Sequence, residues 1–361
     1  MKPINDTALV RERMRRQQLI GKDIPGAAAL VAWMGAVQAQ EYEPARWGLG
    51  LRLRGAPVAA DIERDLSRGA IVRTHALRPT WHFVAARDLS WIQALTGPHV
   101  QRRMATYHRY FALDPPALTR AMTAIERALT DQIGLTRAEL ASHLRTIGID
   151  ATGQRLAHIA MHAELEGLIC SGPRRGRTPT YALAATRALR TRRRSRDSAL
   201  GELTRRFFQS HGPATIRDFV WWSGLPTADA RRGLEIVRGV SVDLQGQRYW
   251  TVGETVEGLP RRGERSRKPV AHLLPIYDEY LVAYRDREAV PHGPSTLRAG
   301  GRPVLFQHAI LLDGQVAGTW RTPPPGDGGV ISIVPLRKFH VAEREAIDQA
   351  AERYRRFSSA R

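Results

Sequence analysis

Few side chains in this 361-residue sequence could do chemistry together, and the pair that stands out is uncharged. Gln38-Ala39-Gln40 sets two carboxamides two residues apart. A carboxamide does not exchange protons near neutral pH, but it can orient a water or present its carbonyl oxygen to a developing cation. On a helix the two would diverge by about 200°, so both serve one site only if the helix ends there. Pro44 downstream is consistent with such an irregularity. His158-Ile159-Ala160-Met161-His162 puts two imidazoles one turn apart, the spacing of a zinc-binding helix. Ile159 stands where a metalloprotease helix carries its carboxylate, so both histidines are read as structural or surface residues and no metal is expected. With a single cysteine, Cys170, neither an internal disulfide nor a cysteine zinc cluster can form. There is no P-loop and no Gly-x-Ser-x-Gly turn. Nor does a compact carboxylate or histidine cluster suggest a metal-dependent nuclease, and no cofactor is expected.

Charge is the second signal. Lys and Arg number 55 against 35 Asp and Glu, a formal +20, and the isoelectric point is near 11.1. Such an excess suits a polyanion, because each phosphate neutralised releases condensed counterions. An anionic membrane surface would also suit it, but no stretch approaches ~20 consecutive apolar residues, so no membrane span is expected. Only Lys2, Lys22, Lys268 and Lys338 are lysines. Arginine offers a planar fork for phosphate and guanine edges, yet GC-rich codon usage gives the same bias, so arginine identity adds little. The best local phosphate ligands are Arg174, Arg175 and Arg177, in a loop where Gly172, Pro173 and Gly176 leave little room for a core role. The basic run Arg190–Arg196 is weaker, since charge between domains often only solubilises. The Met1–Asp6 start lacks the apolar run of a signal peptide, so a cytoplasmic location is expected by default.

The elements that would carry these residues repeat. Thr136-x-x-Glu139 and Thr215-x-x-Asp218 are helix-start signatures in which hydroxyl and carboxylate satisfy orphan amides reciprocally. Each opens a short helix, a Gly-containing turn (Gly148, Gly224) and a second helix with apolar residues at helical spacing, Leu156 to Leu165 and Ala230 to Val237. Each then runs into a hairpin, Leu168–Leu183 with Gly172–Arg177 at its tip, and Val240–Val252 turning at Gln245-Gly246. Helix-turn-helix plus hairpin is a winged helix. A third copy is read at the front, with helices at Val10–Ile20, Ala27–Gln40 and Asp61–Leu66 and strands at Ile71–His75 and Thr80–Val84. The expected fold class is therefore α+β, tandem winged helices with a β-rich C-terminal subdomain. The domains are 1–113 with the Gln-Ala-Gln motif, 114–190, 197–258, and 270–361 closing on a helix over Val341–Phe357. Asp114-Pro115-Pro116, Arg190–Arg196 and Arg261–Pro269 separate them.

Read together, Val37–Gln40 with Ala45–Leu49, Thr80–Phe83, Pro275–Arg287 and Gly318–Arg321 resemble the AlkZ/YcaQ family of bacterial winged-helix DNA glycosylases. The resemblance spans nearly the whole chain. It implies tandem winged helices and a β-rich part forming a concave DNA-binding surface. Gln38, Ala39 and Gln40 match the Gln-apolar-Gln signature of the AlkZ-like branch, which implies a catalytic role for Gln38 and Gln40. It further implies excision of N7-alkylguanine and, in that branch, unhooking of interstrand crosslinks made by natural-product genotoxins, as self-protection of the producer. On that basis Gln40 is the main water-positioning group and Gln38 its partner. His82 and Asp278 lie in matching stretches, where each could line the site or be structural. The expected partner is double-stranded DNA bearing alkylated bases or crosslinks, bound by a monomer. The alternative is a non-enzymatic winged-helix transcriptional regulator, which explains the charge and the repeats equally well.

Overall fold

The structure, a computed structural model, describes residues 6–188, 194–244, 246–253, 268–285, 298–299, 301–322 and 330–359. Of the positions singled out above, Arg190–Arg193, Gln245, Arg261–Arg267, Asp286 and Arg287 lie outside the described residues.

One plan recurs three times: a helix, a short strand or bridge, two helices, and a hairpin whose second strand pairs with the short strand. Helix α1 (Asp6–Arg16) precedes the first copy. There α2 (Ala27–Met34) leads into β1 (Val37–Gln38), α3 (Tyr42–Gly50), α4 (Ala59–Ser67) and the hairpin of β2 (Ile71–Ala76) and β3 (Arg78–Ala85). The sheet runs β1-β3-β2, antiparallel throughout. A long helix, α5 (Leu89–Tyr110), connects to the second copy. That copy comprises α6 (Pro115–Leu129), β4 (Leu135–Thr136), α7 (Arg137–Thr146), α8 (Gly153–Leu165), β5 (Ile169–Ser171) and β6 (Thr180–Leu183), ordered β4-β6-β5. After α9 (Ala184–Arg187) come α10 (Arg196–Ser210), a single bridge between Ala214 and Trp250, α11 (Ile216–Ser223), α12 (Thr227–Val237), β7 (Val240–Leu244) and β8 (Gln247–Thr251). The C-terminal part holds β9 (Ala271–Leu274), α13 (Glu279–Val282), the small pair β10 (Arg298–Ala299) and β11 (Arg302–Pro303), then β12 (His308–Leu312), β13 (Gln315–Arg321), β14 (Ser332–Pro335) and α14 (Val341–Ser359). Its main sheet is ordered β14-β13-β12-β9. The molecule is thus a mixed helix-and-sheet protein with small antiparallel sheets.

Local chemistry explains the starts. Thr136 Oγ1 accepts from Glu139 N while Thr136 N donates to Glu139 Oε2 at 2.7 Å, and Thr215 with Asp218 repeats the exchange at the head of α11. Asp114 caps α6 by accepting from Ala117 N at 2.8 Å, with Pro115 and Pro116 in the first turn where no amide partner is lost.

The first copy departs from its expected layout. The helix expected over Ala27–Gln40 stops at Met34, because Gly35 takes φ +84°, and the chain continues extended into β1. Its helix pair is α3 and α4, not α1 and α2. Pro44 sits in the first turn of α3, where proline is tolerated. Gly50 lets that helix approach α14, since a Cβ there would lie 2.4 Å from the Phe357 ring. Val304–Phe306, expected in the β-rich part, is a single 3-10 turn.

Three cores hold this together. Leu30, Leu49 and Ile62 of the first copy share one with Leu273, Ile310 and Ile347 from the C-terminal part, so residues 1–113 and 270–361 bury their apolar faces against each other. A second core joins β2, β3 and α5 to Phe207, Phe219, Trp222 and Tyr284. The third is internal to the second copy, around Ile125, Leu140, Leu144 and Ile159.

Burial also keeps histidines neutral. Desolvation is the main cause that pushes His82 and His272 down to about 3 and His108 and His308 to about 4. In the unfolded chain each takes up a proton near pH ~6.5. A depressed native pKa means that the unfolded state binds more protons between those limits, so stability is full above about pH 6.5 and is lost as pH falls toward 4. The melting temperature is therefore expected to decline steadily from about pH 7 to pH 5 in scanning calorimetry. A constant value across that window would show that these imidazoles are not held neutral.

Candidate functional site

The two glutamines lie at the end of a short strand, not on a helix. Val37 pairs with Phe83 and Gln38 with His82, and Ala39 N donates to Trp81 O at 2.7 Å, prolonging the edge. Gln38 ends the strand, Ala39 is fully buried, and Gln40 lies in the bend that follows, two residues from Gln38. The condition set by helical geometry falls away.

Both carboxamides are held by their carbonyl oxygens. Arg78 Nη2 donates to Gln38 Oε1 at 2.8 Å, and Trp81 N to Gln40 Oε1 at 3.4 Å. Neither Nε2 makes a hydrogen bond among the described residues. The backbone is clamped from the other side by Arg73, whose Nε donates to Ala39 O at 2.8 Å and Nη2 to Gln40 O at 3.1 Å. Its guanidinium lies 4.3 Å over the Trp81 ring. Gln38 is 9% exposed and Gln40 half-buried, so the pair is reachable and preorganised.

Behind the motif sits a carboxylate. Glu279, fully buried, accepts from Gln38 N at 2.5 Å through Oε1 and from Trp222 Nε1 at 3.2 Å through Oε2, with His211 Nε2 3.5 Å away. Burial alone would raise its pKa. The bonds from His211 and the Gln38 amide, with the charge of Arg78, hold it below the ordinary carboxylate range. It is therefore a fixed negative charge one hydrogen bond behind Gln38.

The remaining expected site residues divide. Asp278, next to Glu279, forms a buried bidentate pair with Arg52 at 2.6 and 2.8 Å and caps α13 by accepting from Tyr280 N at 3.0 Å. Arg52 continues to Gln17 Oε1 at 3.2 Å, and Gln17 Nε2 to the Tyr284 hydroxyl at 2.9 Å. His82 lies directly across from Gln38, fully buried. Its Nδ1 donates to Thr80 O at 2.9 Å and its Nε2 is buried with no partner among the described residues. At a pKa of about 3, set first by burial and then by Arg78, it stays neutral at physiological pH. The loop arginines are largely committed within the protein. Arg174 pairs with Glu43 at 3.0 Å and stacks on Tyr42 at 4.3 Å, while Arg175 pairs with Glu139 at 2.7 Å. Arg177 is exposed with no acidic partner among the described residues. His158 and His162 pack beside His108, ring centroids 5.8 Å apart in each case. Among the described residues no three His, Cys, Asp or Glu side chains are placed to hold a metal ion.

Sequence reasoning missed Glu279, Arg73, Arg78 and Trp81. Glu279 stood in a stretch already singled out, but attention went to Asp278. No local pattern shows that residues 38 and 279 are neighbours.

Three comparisons bear on this arrangement. The family model described as DNA glycosylase AlkZ-like matches residues 31–357. The interstrand DNA cross-link repair glycosylase of Streptomyces sahachiroi is 25% identical over 370 residues, covering 93% of this chain and 95% of that protein. The solved structure of Streptomyces sahachiroi DNA glycosylase AlkZ has the same fold, with a TM-score of 0.81 at 22% identity over 99% of this chain and 98% of that one.

The Glu279 hub gives a structural test. Glu279→Ala leaves the Gln38 and Trp222 donors unpaired in the interior and should cost about 3–5 kcal/mol in chemical denaturation. Glu279→Gln keeps an acceptor for Gln38 N and should cost clearly less. A Glu279→Ala loss no larger than that of a surface substitution would show that the hub does not hold the motif.

Proposed function

This chain belongs to the AlkZ-like DNA glycosylase family and is an enzyme, and from that premise we propose that it hydrolyses the N-glycosidic bond of cationic alkylated bases, N7-alkylguanine foremost. The observation that carries the reading is the pairing of two clamped neutral amides, Gln38 and Gln40, at the end of one strand edge backed by a buried carboxylate.

The chemistry suits neutral groups. Alkylation at N7 makes guanine cationic, so when the C1′–N9 bond breaks its electron pair neutralises the departing base and no general acid is needed. The remaining task is to stabilise positive charge growing on the sugar and to deliver water to C1′, with the water's proton passing to solvent. Gln40 orients that water and Gln38 assists, each through a lone pair left on its carbonyl oxygen. Glu279 adds a fixed negative potential from behind, worth most where water is excluded.

The three helix-and-hairpin copies are read as winged helices that carry duplex DNA across a concave, arginine-rich surface, with Arg174, Arg175 and Arg177 as candidate phosphate ligands. Arg174 and Arg175 would have to exchange Glu43 and Glu139 for phosphate, whereas Arg177 is ready as it stands. Acting as a monomer in the cytoplasm, the enzyme would also unhook interstrand crosslinks, as the name of the Streptomyces relative describes for that protein, and so give self-resistance to a crosslinking natural product. Membership of an enzyme family leaves the transcriptional-regulator alternative without support.

Gln38→Ala and Gln40→Ala should each lose at least about a hundredfold in single-turnover excision from an N7-methylguanine duplex, read by alkaline cleavage of the abasic strand, with near-wild-type duplex affinity. Excision at the wild-type rate by either variant would remove that residue from the catalytic pair.

A further inference from the structure

A cavity of about 330 Å³ lies between the first and second copies. Tyr42, Arg73, Trp81, Glu164, Arg174 and Tyr181 form its walls, and the exposed Ser67 stands at its edge. Strand alternation puts Trp81 and Arg73 on the face of the β1-β3-β2 sheet opposite Gln38. The cavity nevertheless shares a wall with the catalytic edge: Arg73 donates to Ala39 O and Gln40 O, and Trp81 N to Gln40 Oε1.

Three features describe what would fit. The volume falls in the small-ligand range, about 300–1,000 Å³. Two aromatic rings, Trp81 and Tyr42, stand in the lining, each stacked with a planar guanidinium at 4.3 Å, so flat groups pack on these walls. The third is a buried carboxylate with one oxygen unspent. Glu164 is 1% exposed, and its Oε2 is in hydrogen-bond contact with His75 Nδ1 and accepts from His75 N at 3.3 Å. Its Oε1 meets no donor among the described residues. A carboxylate oxygen left open in a cavity calls for a donor on the ligand.

Guanine answers all three. It is flat, it fits within the volume, and its N1–H can donate to the open Oε1 of Glu164. Adenine presents an acceptor where guanine presents N1–H, and would set it against Glu164. We propose that this cavity binds the guanine base of the lesion, either everted from the duplex or after release, and that Glu164 selects guanine over adenine. The choice of guanine rests on the proposed glycosylase reading. Binding of a free base requires no bond cleavage, so failure of one is separable from failure of the other.

The test is isothermal titration of the full-length protein with free 7-methylguanine and with 3-methyladenine. Saturable binding of 7-methylguanine is expected, with 3-methyladenine at least about tenfold weaker, and Glu164→Gln should remove most of that preference. Ser67→Trp, which blocks the cavity from an exposed position on α4, should abolish binding without lowering the melting temperature, and it keeps the test valid if Glu164→Gln misfolds. The two sources of base separate in single-turnover excision from an N7-methylguanine duplex: a slower rate in Glu164→Gln assigns the cavity to the everted lesion, and an unchanged rate to the released base. No saturable binding, or binding indifferent to both substitutions, would overturn the assignment.

Discussion

The edge that carries the proposed catalytic pair is held by one buried carboxylate. Glu279 enters from the C-terminal part and meets the backbone of Gln38, the indole of Trp222 and the imidazole of His211. Those partners come from the first copy, α11 and the end of α10, so one side chain ties three parts of the chain at the motif. Asp278 does the same one residue earlier through Arg52 and Gln17. A charge taken out of water persists only with its partners in place, which makes this junction intolerant of slippage. The shared core between residues 1–113 and 270–361 is the apolar counterpart of that polar junction.

Position within the repeated plan explains why the motif falls where it does. In the second copy the short strand preceding the helix pair is Leu135-Thr136, and in the third it shrinks to the Ala214 bridge. In the first copy the same place is taken by Val37-Gln38. A structural edge common to all three carries the proposed catalytic glutamine in one. The bend that follows the strand then places Gln40 beside it, with its carbonyl oxygen on the Trp81 amide.

Much of this was legible in the sequence, for reasons that are local. The Thr136 and Thr215 boxes, the Gly172 and Gly246 hairpins and the terminal helix carry their signals within a few residues. Helix α5 was not read because Pro98 interrupts its 22 residues and looks like a break. Helix α3 was hidden by Pro44, Gly48 and Gly50; Gly50 fits because the Phe357 ring of α14 packs against it from more than 300 residues away, and Gly48 because Pro275 and Asp278 pack there. The end of α2 turned on Gly35 adopting a positive φ, which a run of good helix formers before it disguised. Of the site, the glutamines were found through family resemblance. Arg73, Arg78 and Glu279 act by tertiary contact and leave no sequence pattern.

The proposed site makes a chemical commitment: neutral groups at the reacting centre, a histidine held neutral by burial, and a fixed negative charge behind. Such a site can help a base leave that is already cationic, but has no proton to give one that is not. The most direct measurement is the single-turnover excision rate from matched duplexes carrying N7-methylguanine or uracil, followed from about pH 6 to pH 8. N7-methylguanine should be excised at a nearly constant rate while uracil is left in place. Robust uracil excision, or a bell-shaped profile for N7-methylguanine, would mean that an acid or base other than Gln38 and Gln40 carries the reaction.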